Sequence, residues 1–136
     1  MTQKRVLIVD DEILIARELE ARLIGMEYDV VGIAATGVDA VSLAIETRPD
    51  LVLMDISLRG DMDGIDAAAE IRSQYSVPII FLTAFADEKT LERAKKTQPY
   101  GYIVKPFNER ELQANVEVAL YKHDAETRAL LQNALD

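Results

Sequence analysis

The stretch "VLIVDDE", Val6 to Glu12, decides how this chain folds. Four branched apolar residues in a row suit a strand buried on both faces. They run straight into three carboxylates with no turn residue between. Like charges crowded at the edge of a core raise the free energy of ionising one another. The acids therefore need a reason to stand there.

Working outward, five apolar runs lie at fairly even spacing: "RVLIVD" (Arg5–Asp10), "DVVGIA" (Asp29–Ala34), "DLVLMD" (Asp50–Asp55), "PIIFLT" (Pro78–Thr83) and "GYIVK" (Gly101–Lys105). Helical stretches separate them. Ile13–Met26 places Ile13, Ala16, Leu19, Leu23 and Met26 on one stripe. Val38–Thr47 brings Val41, Ala44 and Ile45 together and stops at Arg48-Pro49, because a residue before proline is driven out of the helical region. Asp66–Gln74 and Asp87–Gln98 are shorter and less striped. Asn108 suits the N-cap of a last helix, with Glu111 at the capping-box position. Strand and helix alternating five times predict an α/β fold: a doubly wound, five-stranded parallel sheet with right-handed crossovers and helices on both faces.

Composition narrows the function. The 24 Asp and Glu against 15 Lys and Arg give a net charge of −9, which argues against a non-specific grip on nucleic acid or an anionic membrane. Without cysteine there is no disulfide, thiolate or Cys-based zinc chemistry. The N-terminus carries no signal-peptide pattern, and no apolar run approaches the roughly 18 residues of a membrane span. A cytoplasmic protein is expected, with residues 1–121 as one domain. Residues 122–136 read as an extension of the last helix, polar through "KHDAETR" and apolar again at Leu130, Leu131, Ala134 and Leu135. Docking on the body and dimerisation both remain open for it.

Ligands of doubly wound sheets gather at the carboxyl ends of the strands. Those ends carry Asp10-Asp11, Asp55, Thr83 and Lys105. If the strands take the common doubly wound order 2-1-3-4-5, the first and third are neighbours, and the three carboxylates would meet and call for a cation. Hard oxygen donors point to Mg²⁺. Lys105 and Thr83 would flank it with an ammonium and a hydroxyl, a constellation suited to phosphoryl groups. Glu12 reads instead as a helix-starting residue favoured by the macrodipole.

The motifs "VLIVDDE", "DLVLMDISL", "DGIDAAAEIR", "PIIFLTA" and "YIVKPF", in this order over about Lys4 to Tyr121, resemble the receiver domain of two-component response regulators. The resemblance implies a flavodoxin-like sheet of order 2-1-3-4-5. It also implies that Asp55 accepts a phosphoryl group from the histidine of a sensor kinase or phosphotransfer protein. Asp11 would ligate Mg²⁺ directly, Asp10 largely through water, and the backbone carbonyl of Ser57 would be a further ligand beside Asp55. Lys105 would pair with phosphoryl oxygens, and Thr83 would move to hydrogen-bond them. Tyr102 would be the switch aromatic that turns inward, Ala84 would keep the approach open, and Pro106 would follow a cis bond that aims Lys105. Ser57 and Phe85 stand where the family adjusts water access, and bulky Phe85 is expected to slow hydrolysis. Output would pass through the face of the fourth helix, fifth strand and fifth helix to a downstream protein or a second copy. No direct nucleic-acid or membrane contact is expected.

The chain departs from the family in "DISLRGDMDG" (Asp55–Gly64), which lacks the usual proline and carries one extra residue. The "RGD" inside it reads as chance. An Asp-nucleophile phosphatase is the main rival reading, but such enzymes carry Asp-x-Asp on the first strand, where this chain has adjacent acids. A nucleotide-binding domain lacks its glycine-rich loop here. A non-catalytic adaptor would be expected to lose part of the site, and every element of it is present. The length leaves both a stand-alone regulator and a piece of a longer protein open.

Overall fold

The computed structural model describes residues 3–84 and 87–135. Its elements are β1 (Arg5–Val9), α1 (Ile13–Gly25), β2 (Asp29–Ala34), α2 (Gly37–Thr47), β3 (Leu51–Asp55), α3 (Gly64–Gln74), β4 (Ile79–Thr83), α4 (Glu88–Lys95), β5 (Gly101–Val104) and α5 (Glu109–Leu135). The strands form one parallel sheet in the order β2-β1-β3-β4-β5. This is the doubly wound, flavodoxin-like sheet expected from the sequence.

Side chains alternate across a strand, so each continuous apolar run feeds two cores at once. Leu7, Val9, Val52, Met54 and Phe81 meet Ala40 and Ala44 of α2 and Ala67, Ala68 and Ile71 of α3. Val6, Ile8, Leu51, Leu53, Ile80 and Leu82 meet Ala16, Leu19 and Leu23 of α1 and Leu112, Val116 and Ala119 of α5. Each large apolar side chain buried this way contributes about 1.5–3 kcal/mol. The edge strand β2 is only half-buried over most of its length.

Helix ends follow local chemistry. Thr36 Oγ1 accepts from Asp39 N at 3.1 Å to open α2, which closes with Arg48 at φ +47° just before Pro49. Asp63 and Asp66 form a reciprocal capping box at the start of α3. Asp87 caps α4 through Thr90 N at 2.8 Å, and Asn108 caps α5 through Glu111 N at 2.8 Å. Glu12 occupies the N-cap position of α1, not its first turn, and its side chain makes no cap bond.

Two sequence expectations need correction. Ile13 does not join the buried stripe of α1. It stands 57% exposed, because the first turn lies beyond the end of β1 and only Ala16, Leu19 and Leu23 face the sheet. Helix α4 ends at Lys95 and not at Gln98, whose φ of +55° lies outside helical space.

Helix α5 runs on past the body. Lys4 Nζ lies 3.3 Å from Asp124 Oδ2, Ser76 Oγ and His123 Nε2 are 3.0 Å apart, and Tyr100 OH donates to Glu126. These contacts hold residues 123–126 against the amino edge of the sheet. Farther on, Leu130, Leu131 and Leu135 are exposed. Among the described residues no helix is long and apolar enough to cross a membrane.

Candidate functional site

Parallel pairing in register carries the strand-end residues to one edge. Asp55 pairs with Leu82, and Thr83 with Val104, so Asp55, Thr83 and Lys105 stand side by side. Asp10 follows β1, where its N–H donates to the Ala34 carbonyl at 3.0 Å. Asp10, Asp55 and Thr83 are the buried polar residues of the described chain.

One carboxylate oxygen from each of Asp10, Asp11 and Asp55 lies within 4.8 Å of the others. Lys105 Nζ bridges two of them, at 3.0 Å from Asp10 Oδ2 and 3.4 Å from Asp55 Oδ2. The second oxygen of each is also fixed. Glu12 N donates to Asp10 Oδ1 at 2.9 Å, and Ser57 N donates to Asp55 Oδ1 at 3.1 Å. Asp11 faces Arg59, whose Nε lies 3.7 Å from its Oδ2.

Electrostatics follow from that crowding. Burial pushes the Asp55 carboxyl up to about 6, with the Asp10 charge acting the same way and Lys105 and the Ser57 N–H acting against it. Burial works against the Lys105 ammonium, yet the bond to Asp10 and the charges of Asp55 and Asp10 outweigh it and hold its pKa above the usual value. Both shifts describe acids too close together for the single ammonium between them. Three hard oxygen donors that cannot all ionise cheaply fit a small divalent cation.

The flanking residues are equally defined. Lys105 N donates to the Thr83 carbonyl at 2.7 Å, and the Lys105-Pro106 bond is cis. Ala84 is exposed at the mouth of a cleft of about 210 Å³, lined also by Ser57, Thr83, Asp87 and Arg93. Tyr102 is half-buried, its ring centroid 6.2 Å from that of Phe81 and its hydroxyl enclosed by the protein. Phe85 lies outside the described residues.

The loop after β3 returns tightly to the site. A Cβ on Gly64 would stand 2.0 Å from the Asp55 carbonyl oxygen, so only glycine allows this approach. Two cations escaped the sequence reading. Arg59 reaches the acidic pocket, and Arg93 of α4 binds Asp63 at 3.0 Å and Asp66 at 3.2 Å, tying α4 to the start of α3. Burial opposes ionisation of Asp63, but the Asp66 N–H and Arg93 hold its carboxyl below the usual range. The Asp-x-x-Asp spacing could have revealed the capping box; nothing in the sequence pointed to either arginine's partner.

A family model described as the response regulator receiver domain matches residues 6–117. The chain belongs to the response regulator receiver family. A receiver domain of a modulated diguanylate cyclase from Desulfovibrio desulfuricans G20 is 39% identical, with a TM-score of 0.87 over 92% of this chain and 99% of that one. The receiver domain of a sensor histidine kinase from Pseudomonas aeruginosa PAO1, solved with magnesium in its active-site cleft, is 34% identical, with a TM-score of 0.79 over 88% of this chain and 98% of that one. Among curated proteins, the transcriptional regulatory protein PdtaR of Mycobacterium tuberculosis is 44% identical over 86% of this chain and 57% of its own length. This receiver spans about half the length of the curated relatives it matches.

Proposed function

We propose that this receiver accepts a phosphoryl group on Asp55 from a histidine of a sensor kinase or phosphotransfer protein, with Mg²⁺ in the acidic pocket. The observation that carries the reading is the buried Asp55 carboxylate, gripped by Lys105 and the Ser57 N–H beside Asp10 and Asp11. Asp10, Asp11, Asp55 and the Ser57 carbonyl would hold the cation, which supplies charge neutralisation for the phosphoryl oxygens. An oxygen of Asp55 forms the new bond to phosphorus as the donor's N–P bond breaks, and the freed imidazole keeps the electron pair and takes up a proton. Asp55 is a weak nucleophile that needs no activating base once ionised, so alignment and charge supply most of the acceleration. Lys105 pairs with the incoming oxygens and Thr83 hydrogen-bonds them.

A protein donor suits the surroundings. An apolar groove of about 430 Å³ lined by Ile15, Leu19, Ala84, Pro106 and Phe107 opens beside Lys105. Ile13 and Leu14 add exposed apolar surface on the same helix. In the phosphorylated state, displacement of Thr83 would act on Tyr102, whose hydroxyl this structure already encloses, and change the α4-β5-α5 face, so signalling to a downstream protein or a second copy. Residues 122–135 would extend that face as part of α5.

The test is direct. The protein is incubated with acetyl phosphate and Mg²⁺ and its intact mass is measured. Gain of one phosphoryl group, absent in Asp55→Asn, is expected. Sustained release of phosphate with no retained group would instead favour a phosphatase.

A further inference from the structure

Two cations divide three carboxylates. Lys105 takes Asp10 and Asp55, and Arg59 takes Asp11. The ionised pocket therefore holds about one negative charge in excess, and a second cation already stands where a metal would draw on Asp11. Arg59 is not there by the chance sweep of a loose loop. Its backbone makes a parallel β-bridge with Thr36, the residue that caps α2. Met62 packs on Gly37 so closely that a Cβ there would meet it at 2.6 Å, and Gly64 N donates to the Ile56 carbonyl at 2.9 Å. Between these restraints the extra length of the loop is taken up around Gly60, at φ +97°, which leaves Arg59 at the pocket mouth. The contact itself is loose. At 3.7 Å it exceeds a hydrogen bond, and the Arg59 side chain is 84% exposed, so it can leave Asp11 without breaking other structure.

We propose that Arg59 is an internal competitor of the divalent cation for Asp11, holding the affinity of the pocket for Mg²⁺ below what its three carboxylates alone would give. The inference rests on the cation reading given under the proposed function. Arg59 acts only as a positioning charge. It occupies Asp11 while the metal is away and withdraws to solvent as the metal binds. An exposed pair of this kind is worth little on its own, so the effect is graded.

The experiment is calorimetric titration of the unphosphorylated protein with MgCl₂. Arg59→Ala should bind Mg²⁺ about two- to fivefold more tightly, the range expected for loss of one exposed ion pair. Arg59→Lys should stay close to the wild type. Arg128→Ala, which makes the same change in net charge on the exposed tail, should leave the affinity unchanged. The gap between Arg59→Ala and wild type should narrow as NaCl screens the pair. Equal or weaker binding by Arg59→Ala, or an equal gain from Arg128→Ala, overturns the proposal while the cation reading stands. If neither wild type nor Arg59→Ala binds Mg²⁺, the cation reading fails and the proposal falls with it.

Discussion

Asp55 is a carboxyl in tension with its surroundings. Burial first, and then the charge of Asp10, place its pKa at about 6 against an ordinary 3.8. Between those values the folded protein binds more protons than the unfolded chain, so stability falls as pH rises through that window and levels off above it. Asp55→Asn removes the titrating group. Without Mg²⁺ its stability advantage should grow from near zero at about pH 4 to about 2 kcal/mol at neutral pH. Urea unfolding of both proteins across that range checks this, and a difference that ignores pH would refute it. Mg²⁺ should narrow the gap by binding the ionised wild-type pocket. The same titration sets the chemistry, because a protonated carboxyl is no nucleophile. Initial rates of acetyl phosphate uptake should therefore decline in acid, at a pH below the metal-free value of about 6 because bound Mg²⁺ favours the ionised carboxylate.

At the scale of elements, the loop between β3 and α3 depends on Gly64 meeting the Asp55 carbonyl. Gly64→Ala forces backbone against backbone and should destabilise the fold by about 3 kcal/mol, the upper range for overpacking. A lowered urea midpoint with slower phosphoryl uptake is the expected pair of results. This loop also shows where sequence reading runs out. The strands were legible because Val6–Val9, Leu51–Met54 and Ile79–Leu82 are apolar on both faces, a pattern few other structures produce. Asp10, Asp55, Thr83 and Lys105 were legible for the same reason, since each ends a run whose direction is fixed. Helix α4 was not. Only Ala94 is buried along it, so no stripe marks its limits. Arg59 and Arg93 were illegible because charged residues in polar segments carry no period that says which way they face. Loop closure and helix packing decide that, and neither is local.

The whole molecule is a packed body with a helix that outlasts it. Leu130, Leu131 and Leu135 touch little, so removing residues 128–136 should change unfolding free energy by less than about 0.5 kcal/mol, as for most surface changes. Removal from residue 122 also strips the contacts of Asp124, His123 and Glu126 with Lys4, Ser76 and Tyr100 and should cost about 1–2 kcal/mol. Comparing the two truncations by thermal and urea unfolding separates docking from overhang. Sizing the same proteins with and without a beryllium fluoride mimic tests whether the overhang joins two copies. An oligomeric state indifferent to both would rule out dimerisation through this helix.

One enclosed polar atom bears on the proposed switching of Tyr102. The buried Tyr102 hydroxyl finds no hydrogen-bond partner among the described residues. An unmet buried hydroxyl is worth about 1–3 kcal/mol to whichever arrangement completes its bond, roughly a 5- to 150-fold change in population ratio. Packing on Phe81 holds the ring in place while its hydroxyl goes unanswered among the described residues. Tyr102→Phe keeps the ring and removes the demand. It should match or exceed the wild type in resting stability while shrinking the response of the α4-β5-α5 face to the mimic. Chemical shift changes on that face, measured with and without the mimic, would show whether the leverage of this receiver lies in an interaction its resting form has yet to make.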